Sequence, residues 1–229
     1  TPHLGASGSG LPVPGLPELV VPEPGTGRSA DLVPVTVHRD TLLATPAGPP
    51  ADAWFTRLLD RKVRLVWLDD PTRRIVDPRY ARPADRVSFA DAYPVLLTNT
   101  ASLDALNGCI HDGGSAEGPL PMNRFRPNVV VTGAAAWAED GWLGRKLRIG
   151  AVTFRVVKAC DRCVVTTTHQ QTGVRGHEPL RTLGRHRNVD QKLLFGVNLI
   201  PDAPGHITVG DPVEMPVQLT KRSRNGDDG

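Results

Sequence analysis

Short runs of alternating apolar and polar residues recur along the chain, and this period of two predicts β-strands. In "DLVPVTVHRDTLLAT" the apolar positions Val33, Val35 and Val37 fall on one face of an extended chain. "KLRIGAVTFRVVKAC" follows the same rule and is expected to be a hairpin that turns at Ile149–Gly150. Further strands are expected in "VRLVWLDD", "YPVLLTNT", "NVVVTG", "CVVTTTHQQ" and "HITVGDPVEM".

A helical period marks three other stretches. In "TASLDALNGCI" the residues Leu103, Leu106 and Ile110 form one stripe, and Thr100 or Ser102 is the expected N-cap. "EPLRTLGRHR" is expected to be a short helix. A helix over "PADAWFTRLLDRKV" is expected to be capped by Asp52 and to bury Trp54, Phe55, Leu58 and Leu59. Many short strands, few helices and no alternating βαβ pattern predict a mainly β, barrel-like fold with short helices (α+β).

Composition narrows the class of protein. The chain has 229 residues, of which 39 % are hydrophobic and 22 % charged, as is typical of a globular protein. No run reaches the ~18 apolar residues of a membrane span, so no membrane association is expected. A net charge of +3 favours an anionic ligand but is too small to indicate nucleic acid. Three cysteines, an odd number, argue against a disulfide framework and for a reducing, cytoplasmic location. Residues 1–30, rich in Gly and Pro, and the tail 218–229 are expected to be flexible.

Two of the three cysteines stand two residues apart in "ACDRCVVTTTHQQTG". A zinc site needs four ligands, usually from two such pairs, and only one pair is present here. A thioredoxin-like dithiol needs a helix after the pair, whereas the residues after Cys163 favour a strand. Two structural thiols, or one thiolate that binds a redox metal with other ligands, are the remaining possibilities. Lys158 and Arg162 place positive charge nearby, which suits an anionic cofactor. From the residues alone, all four interpretations stay open.

The neighbouring motifs resemble one family. "CDRCVVTTTHQQTG" followed by "EPLRTLGRHR" resembles the core of the MOSC domain (the molybdenum cofactor sulfurase C-terminal-like domain). "DAYPVLLTNTASLDALN", "NRFRPNVVVTG" and the closing "VGDPV" are similar to further segments of its YcbX and amidoxime-reducing branch. The resemblance implies a MOSC-type β-barrel domain over residues 85–217. It also implies that residues 1–84 hold a partial, smaller N-terminal β-barrel domain.

The resemblance also implies a cofactor and a reaction. The cofactor would be a molybdopterin-type molybdenum cofactor (Moco), with the Cys163 thiolate as the metal ligand and a catalytic residue. Arg126 and Asn128 would face the pterin, Arg162 would bind cofactor oxygens, and Asp91 would accept a hydrogen bond from a metal-bound water or the pterin. Each side chain also has a structural alternative: Arg126 closing a loop, Asp91 in a turn, Arg162 facing solvent. The reaction would be reduction of N-hydroxylated compounds to amines or amidines.

Some features depart from the family pattern and leave other functions open. His169 stands where the family has an acidic residue, and His186 where it tends to an aromatic one. The Pro-Val-Lys-Ser turn and further arginine that help to hold the cofactor phosphate in the family are not found, so this chain is expected either to lack the cofactor or to need a preceding segment that completes the site. No cysteine-rich iron–sulfur extension follows "PVQLTKRSRNGDDG", so electrons are expected from a separate flavin or iron–sulfur reductase. A cofactor carrier without turnover and a zinc-stabilised interaction module are the alternatives.

Overall fold

The computed structural model describes residues 15–21, 31–38 and 40–215. They form two compact units, the first ending at Ala92 and the second beginning at Tyr93. The predicted flexible segments fall outside the described residues, apart from residues 15–21. No helix in these ranges is long and apolar enough to cross a bilayer.

The first unit contains a small antiparallel sheet of order β1-β2-β3 and one helix. Its elements are β1 (Val33–Val37), β2 (Asp40–Pro46), α1 (Pro49–Leu59) and β3 (Val66–Trp67). The sequence predicted one strand where β1 and β2 form a hairpin. His38 explains the break, because its φ of 54° lies in the left-handed region and ends β1.

Helix α1 differs from its prediction at both ends. Asp52 does not cap it: the helix begins at Pro49 after Gly48, and Asp52 Oδ1 accepts a hydrogen bond from Leu65 N at 2.9 Å instead. Proline is favoured at the first helical position because its missing N–H would have no partner there. Trp54 is buried as predicted, but Leu58 and Leu59 are exposed. The helix therefore buries a narrower face than its sequence suggests.

The second unit is built on a nearly closed, barrel-like sheet of order β10-β6-β7-β9-β4-β5, with β8 paired to β9. Together with the small sheet of the first unit, this confirms the predicted α+β class. All pairings are antiparallel except that of β4 with β5. The elements are β4 (Val95–Asn99), α2 (Thr100–Asp112), β5 (Val129–Val131), β6 (Lys146–Ile149), β7 (Val152–Asp161), α3 (Leu180–His186), β8 (Asn188–Val189), β9 (Lys192–Pro201) and β10 (Val213–Glu214).

Most predicted elements of this unit are present, but the N-cap of α2 and the length of the closing strand differ from the prediction. The N-cap of α2 is Asn99 rather than Thr100 or Ser102, and its side chain accepts from Ala101 N at 3.1 Å. The closing strand is only the two residues of β10. The predicted hairpin is formed by β6 and β7, and α3 confirms the predicted short helix.

Two hydrophobic clusters hold the second unit together. One fills the sheet and includes residues of both β5 and β6, which lie far apart in the strand order. The other joins α2 and α3 to the sheet and contains the predicted stripe of Leu103, Leu106 and Ile110. Phe125 and Phe195 stack at the centre of this second cluster, with ring centroids 3.9 Å apart. Phe125 therefore ties the "NRFRPN" segment firmly to the core.

Candidate functional site

Cys163 lies on a tight turn at the end of a long strand. Strand β7 carries two register shifts against β9 before it ends at Asp161, and such bulges re-aim the residues that follow. The predicted strand over "CVVTTTHQQ" is wrong, because Val164–Thr167 form a 3₁₀ helix and only Thr168 makes an isolated bridge, to Arg175. Thr166 Oγ1 donates to Cys163 O at 2.9 Å, and Thr167 Oγ1 donates to Val164 O at 2.8 Å. These bonds satisfy the carbonyls locally and replace strand pairing.

The two cysteines of the pair have different environments. Cys163 is exposed, and its thiol has no hydrogen-bond partner among the described residues. Cys160 is half-buried, and its Sγ accepts a hydrogen bond from Arg162 Nη1 at 2.9 Å. All three cysteines are free thiols. Cys163 is therefore the thiol of the pair that is open to an external ligand.

Arg162 links the cysteine turn to the "NRFRPN" segment and is not a solvent-facing side chain. Its Nη2 donates to Phe125 O at 2.7 Å, and its guanidinium carbon lies 5.6 Å from the centroid of the Phe125 ring. Its Nε is buried without a partner. The predicted contact of Arg162 with cofactor oxygens stays a prediction.

Arg124 makes a second link that the sequence analysis missed. The side chain is only 5 % exposed, and its Nη1 donates to Thr166 O at 3.2 Å. Its Nε has no partner and is buried. Burial of a guanidinium with so few protein partners costs desolvation free energy, unless another group binds to it. Nothing in the spacing of "NRFRPN" distinguishes this arginine from Arg126.

Arg126 is the arginine of this segment that faces outwards. Its φ of 52° places it in the left-handed region at the end of the 3₁₀ helix Met122–Phe125. Its side chain has no hydrogen-bond or ion-pair partner in the part of the chain that the structure describes. It borders an open depression of ≈ 600 Å³, which is lined by Met122, Asn123, Arg126, Pro127, Val130 and Gln170. Arg126 is thus free to bind an anionic group there.

Asn128 has a structural contact as well as a free donor. Its side-chain Oδ1 accepts a hydrogen bond from Leu96 N at 2.8 Å, and its backbone N–H donates to Leu96 O at 2.9 Å. These two bonds extend the pairing of β5 with β4. The side-chain Nδ2 has no partner within the described ranges, so its predicted bond to the pterin stays a prediction.

Asp91 belongs to the first unit, whereas the other predicted site residues belong to the second. The side chain of Asp91 is 83 % exposed, and its Oδ1 lies 3.2 Å from His38 Nε2. Arg74, which is 4 % exposed, holds the backbone here: it donates to the carbonyl oxygens of Ser88, Ala90 and Asp91 at 2.5, 2.5 and 3.0 Å. Its Nε and Nη2 also donate to Asp40 Oδ2. Arg74 lies outside the motifs that the sequence singles out.

His169 occupies the position where an acidic residue was expected from the resemblance. Its Nδ1 lies 3.3 Å from both Gln171 N and Thr172 N and accepts from them. A carboxylate would accept from the same N–H groups, so the substitution preserves the turn. His169 therefore has a structural role in this loop.

Glu117 fixes the segment that leads into α3. Its carboxylate accepts from Glu178 N at 2.9 Å and from His177 N at 2.9 Å. The bond from Glu178 N, followed by that from His177 N, lowers the pKa of Glu117 below its usual value, although partial burial opposes this. The anionic carboxylate is thus part of the folded loop.

The described residues contain no group of three or more His, Cys, Asp and Glu side chains that could hold a metal ion. A structural zinc site needs four such ligands. The zinc-stabilised module therefore finds no support in residues 15–21, 31–38 and 40–215.

A comparison with known protein families identifies the family of the chain. The MOSC domain family model matches residues 84–214, more than half of the chain. The chain belongs to the MOSC domain family. The predicted family is thereby confirmed, and the relatives described next show the relation to amidoxime-reducing components.

Individual relatives of this MOSC protein show the same relationship. It is 35 % identical over 192 residues to mitochondrial amidoxime-reducing component 1 of Homo sapiens, covering 78 % of this chain and 55 % of the relative. It is 33 % identical over 221 residues to mitochondrial amidoxime reducing component 2 of Bos taurus, covering 91 % and 63 %. It is 31 % identical over 159 residues to molybdenum cofactor sulfurase of Oryza sativa subsp. japonica, covering 65 % and 19 %. The chain thus spans little more than half the length of the amidoxime-reducing relatives.

Proposed function

We propose that this MOSC protein binds Moco through Cys163 and reduces N-hydroxylated compounds to amines or amidines. The observation that carries the proposal is the exposed, unpartnered Cys163 thiol on a turn that Arg162 and Arg124 anchor. The relationship to amidoxime-reducing components supports the reaction class.

The donor groups around the turn fit such a cofactor. A thiol is a soft ligand that suits a redox metal. Arg126 offers a guanidinium without a partner among the described residues, which suits the acceptor atoms and negative charge of a pterin phosphate compound. The free amide nitrogen of Asn128 offers two further donors. Cys163 would therefore hold the metal, while Arg126, Asn128 and Arg162 would orient the rest of the cofactor.

The proposed reaction takes up two electrons and two protons for each N–O bond broken, and it releases the amine or amidine and water. When bound, Moco supplies the two-electron redox chemistry. The protein would contribute binding, orientation and protons. Asp91 stays a proposed catalytic residue, as the resemblance implies.

A separate flavin or iron–sulfur protein is the proposed source of electrons. The three cysteines are free thiols, as expected in a reducing compartment, and the cytoplasm is accordingly the proposed location.

The test uses the full-length protein loaded with Moco and reduced by a chemical donor. We expect an amidoxime to be converted to the amidine in proportion to the molybdenum bound. A protein that binds Moco but leaves amidoximes and hydroxylamines unchanged would be a carrier, and the proposed reaction would be wrong. A protein that binds no Moco would contradict both functions.

A further inference from the structure

The guanidinium of Arg162 distinguishes the two thiols of the Cys-x-x-Cys pair. Its Nη1 donates to Cys160 Sγ at 2.9 Å, while Cys163 has no partner among the described residues. The two thiols are only three positions apart, yet they differ in burial and in this contact. Cys160 is the thiol that is engaged within the protein.

The position of Arg162 is fixed from the core rather than from solvent. Its Nη2 donates to Phe125 O at 2.7 Å, and the guanidinium lies over the Phe125 ring. Phe125 is fully buried and stacks on Phe195. Because a planar guanidinium bound at both ends has few alternative orientations, Arg162 cannot easily release Cys160.

The fixed positive charge of Arg162 also changes which metals the cysteine pair can bind. Two cysteines at this spacing can form half of a site for zinc or another soft divalent cation. Here the guanidinium occupies one sulfur and repels an incoming cation, whereas it attracts an anionic cofactor. No third ligand side chain in the described ranges compensates for this repulsion.

We propose that Arg162 is a positioning residue that withholds Cys160 from metal, so that the pair does not bind free divalent cations and Cys163 remains a single thiol ligand. The inference rests on the proposed function only in taking Cys163 as the cofactor ligand. It needs no cofactor for its test.

The experiment titrates the cofactor-free, full-length protein with Cd²⁺ and follows the sulfur-to-cadmium charge-transfer absorbance. All samples carry Cys109→Ser, so that the thiol on α2 does not contribute. With Arg162 present, we expect weak binding and the absorbance of one thiolate. Adding Cys160→Ser should leave this signal unchanged, and adding Cys163→Ser should abolish it.

Removing the guanidinium should convert the pair into a two-thiolate site. Arg162→Met is expected to double the absorbance and to tighten Cd²⁺ binding by about tenfold or more, because a second soft ligand joins and the repulsion is lost. The gain should disappear when Cys160→Ser is added. Arg162→Lys keeps the charge but loses the planar pair of donors, so it should retain the repulsion and bind Cd²⁺ more weakly than Arg162→Met. Far-ultraviolet circular dichroism checks the fold of each variant.

Two results would overturn the inference: a two-thiolate signal in the parent protein, or no gain in folded Arg162→Met. If Arg162→Met does not fold, the parent series decides, since loss of half the signal on Cys160→Ser would contradict the proposal. The outcome is separable from the proposed function, because Moco binding and amidoxime reduction do not enter the measurement.

Discussion

The guanidinium of Arg74 donates to the carbonyl oxygen of Asp91 at 3.0 Å. Arg74 is buried, and it also holds Ser88 O, Ala90 O and the carboxylate of Asp40. The backbone that carries a candidate catalytic carboxylate is therefore fixed by one arginine whose five N–H donors all have acceptors.

The first prediction is that Arg74→Lys destabilises the cofactor-free protein. A lysine has three donors on one nitrogen and cannot reach all of these oxygens, and each buried acceptor left without a donor costs about 1–3 kcal/mol. We expect a clear fall in the midpoint of thermal unfolding. Arg57→Lys, at an exposed position of α1, is the matched control. An equal effect of the two changes would show that Arg74 does not hold this segment.

The second prediction concerns Arg126. Because its exposed side chain has no partner in the described residues, Arg126→Ala should leave the thermal midpoint of the cofactor-free protein unchanged and lower its Moco occupancy. Arg145→Ala removes another exposed arginine of the second unit and should alter neither quantity. Thermal unfolding and molybdenum analysis give the two readouts. A lower midpoint without cofactor would instead assign Arg126 to closing the loop.

The third prediction separates the two roles of Asn128. Asn128→Asp keeps an acceptor for Leu96 N but removes both amide donors, so it should retain stability and weaken Moco binding. Asn128→Ala loses the acceptor too and should lower the free energy of unfolding by about 1 kcal/mol. Urea unfolding and cofactor titration measure these effects. Unchanged Moco affinity in the Asp variant would remove the amide from the cofactor site.

The fourth prediction is a pH dependence from Glu117. Its pKa is lowered in the folded protein, so the folded state favours the ionised carboxylate and gains stability at pH values above the ordinary pKa of 4.5. This gain is lost as the pH falls through the lowered pKa. Glu117→Gln should therefore cost about 1 kcal/mol at neutral pH and less in acid.

The measurement is urea unfolding of both proteins as a function of pH. Asp104→Asn, at an exposed position of α2, controls for loss of a negative charge. A Glu117→Gln difference that is the same at neutral and acid pH would show that the charge of Glu117 does not stabilise the loop.

Local patterns predicted much of the second unit, but they missed its central strand. The stripe of α2 and the hairpin of β6 and β7 follow directly from periodicity. Strand β9 was missed because its run "KLLFGVNLIP" is apolar without alternation and contains a glycine. The structure requires that glycine: Gly196 has a φ of 77°, and a Cβ there would lie 2.6 Å from Leu97 O.

The turn after Cys163 shows how side-chain hydrogen bonds override propensity. The β-branched residues from Val164 to Thr167 predict a strand, yet the threonine hydroxyls bond to carbonyls three residues back and stabilise a 3₁₀ turn. Whether this segment forms a strand or a 3₁₀ turn depends on tertiary contacts that hold the turn in place, and these cannot be read from the sequence.

The candidate site was predictable in part. The motifs singled out Cys163 and Arg126, and the structure shows that both side chains are exposed. The anchoring roles of Arg124 and Arg162 were not predictable, because their acceptors are backbone carbonyls 42 and 37 positions away in the chain. A carbonyl is available at every residue, so no residue type marks such a partner.

The molybdenum content of the full-length protein tests the central claim most directly. We predict that Cys163→Ser loses molybdenum almost completely, because a hydroxyl is a harder and far less acidic ligand than a thiol. Cys160→Ser, the matched change at the thiol that Arg162 engages, should retain molybdenum close to the unmodified level. Equal loss in both variants, or full retention in Cys163→Ser, would contradict the assignment of Cys163 as the single thiol ligand.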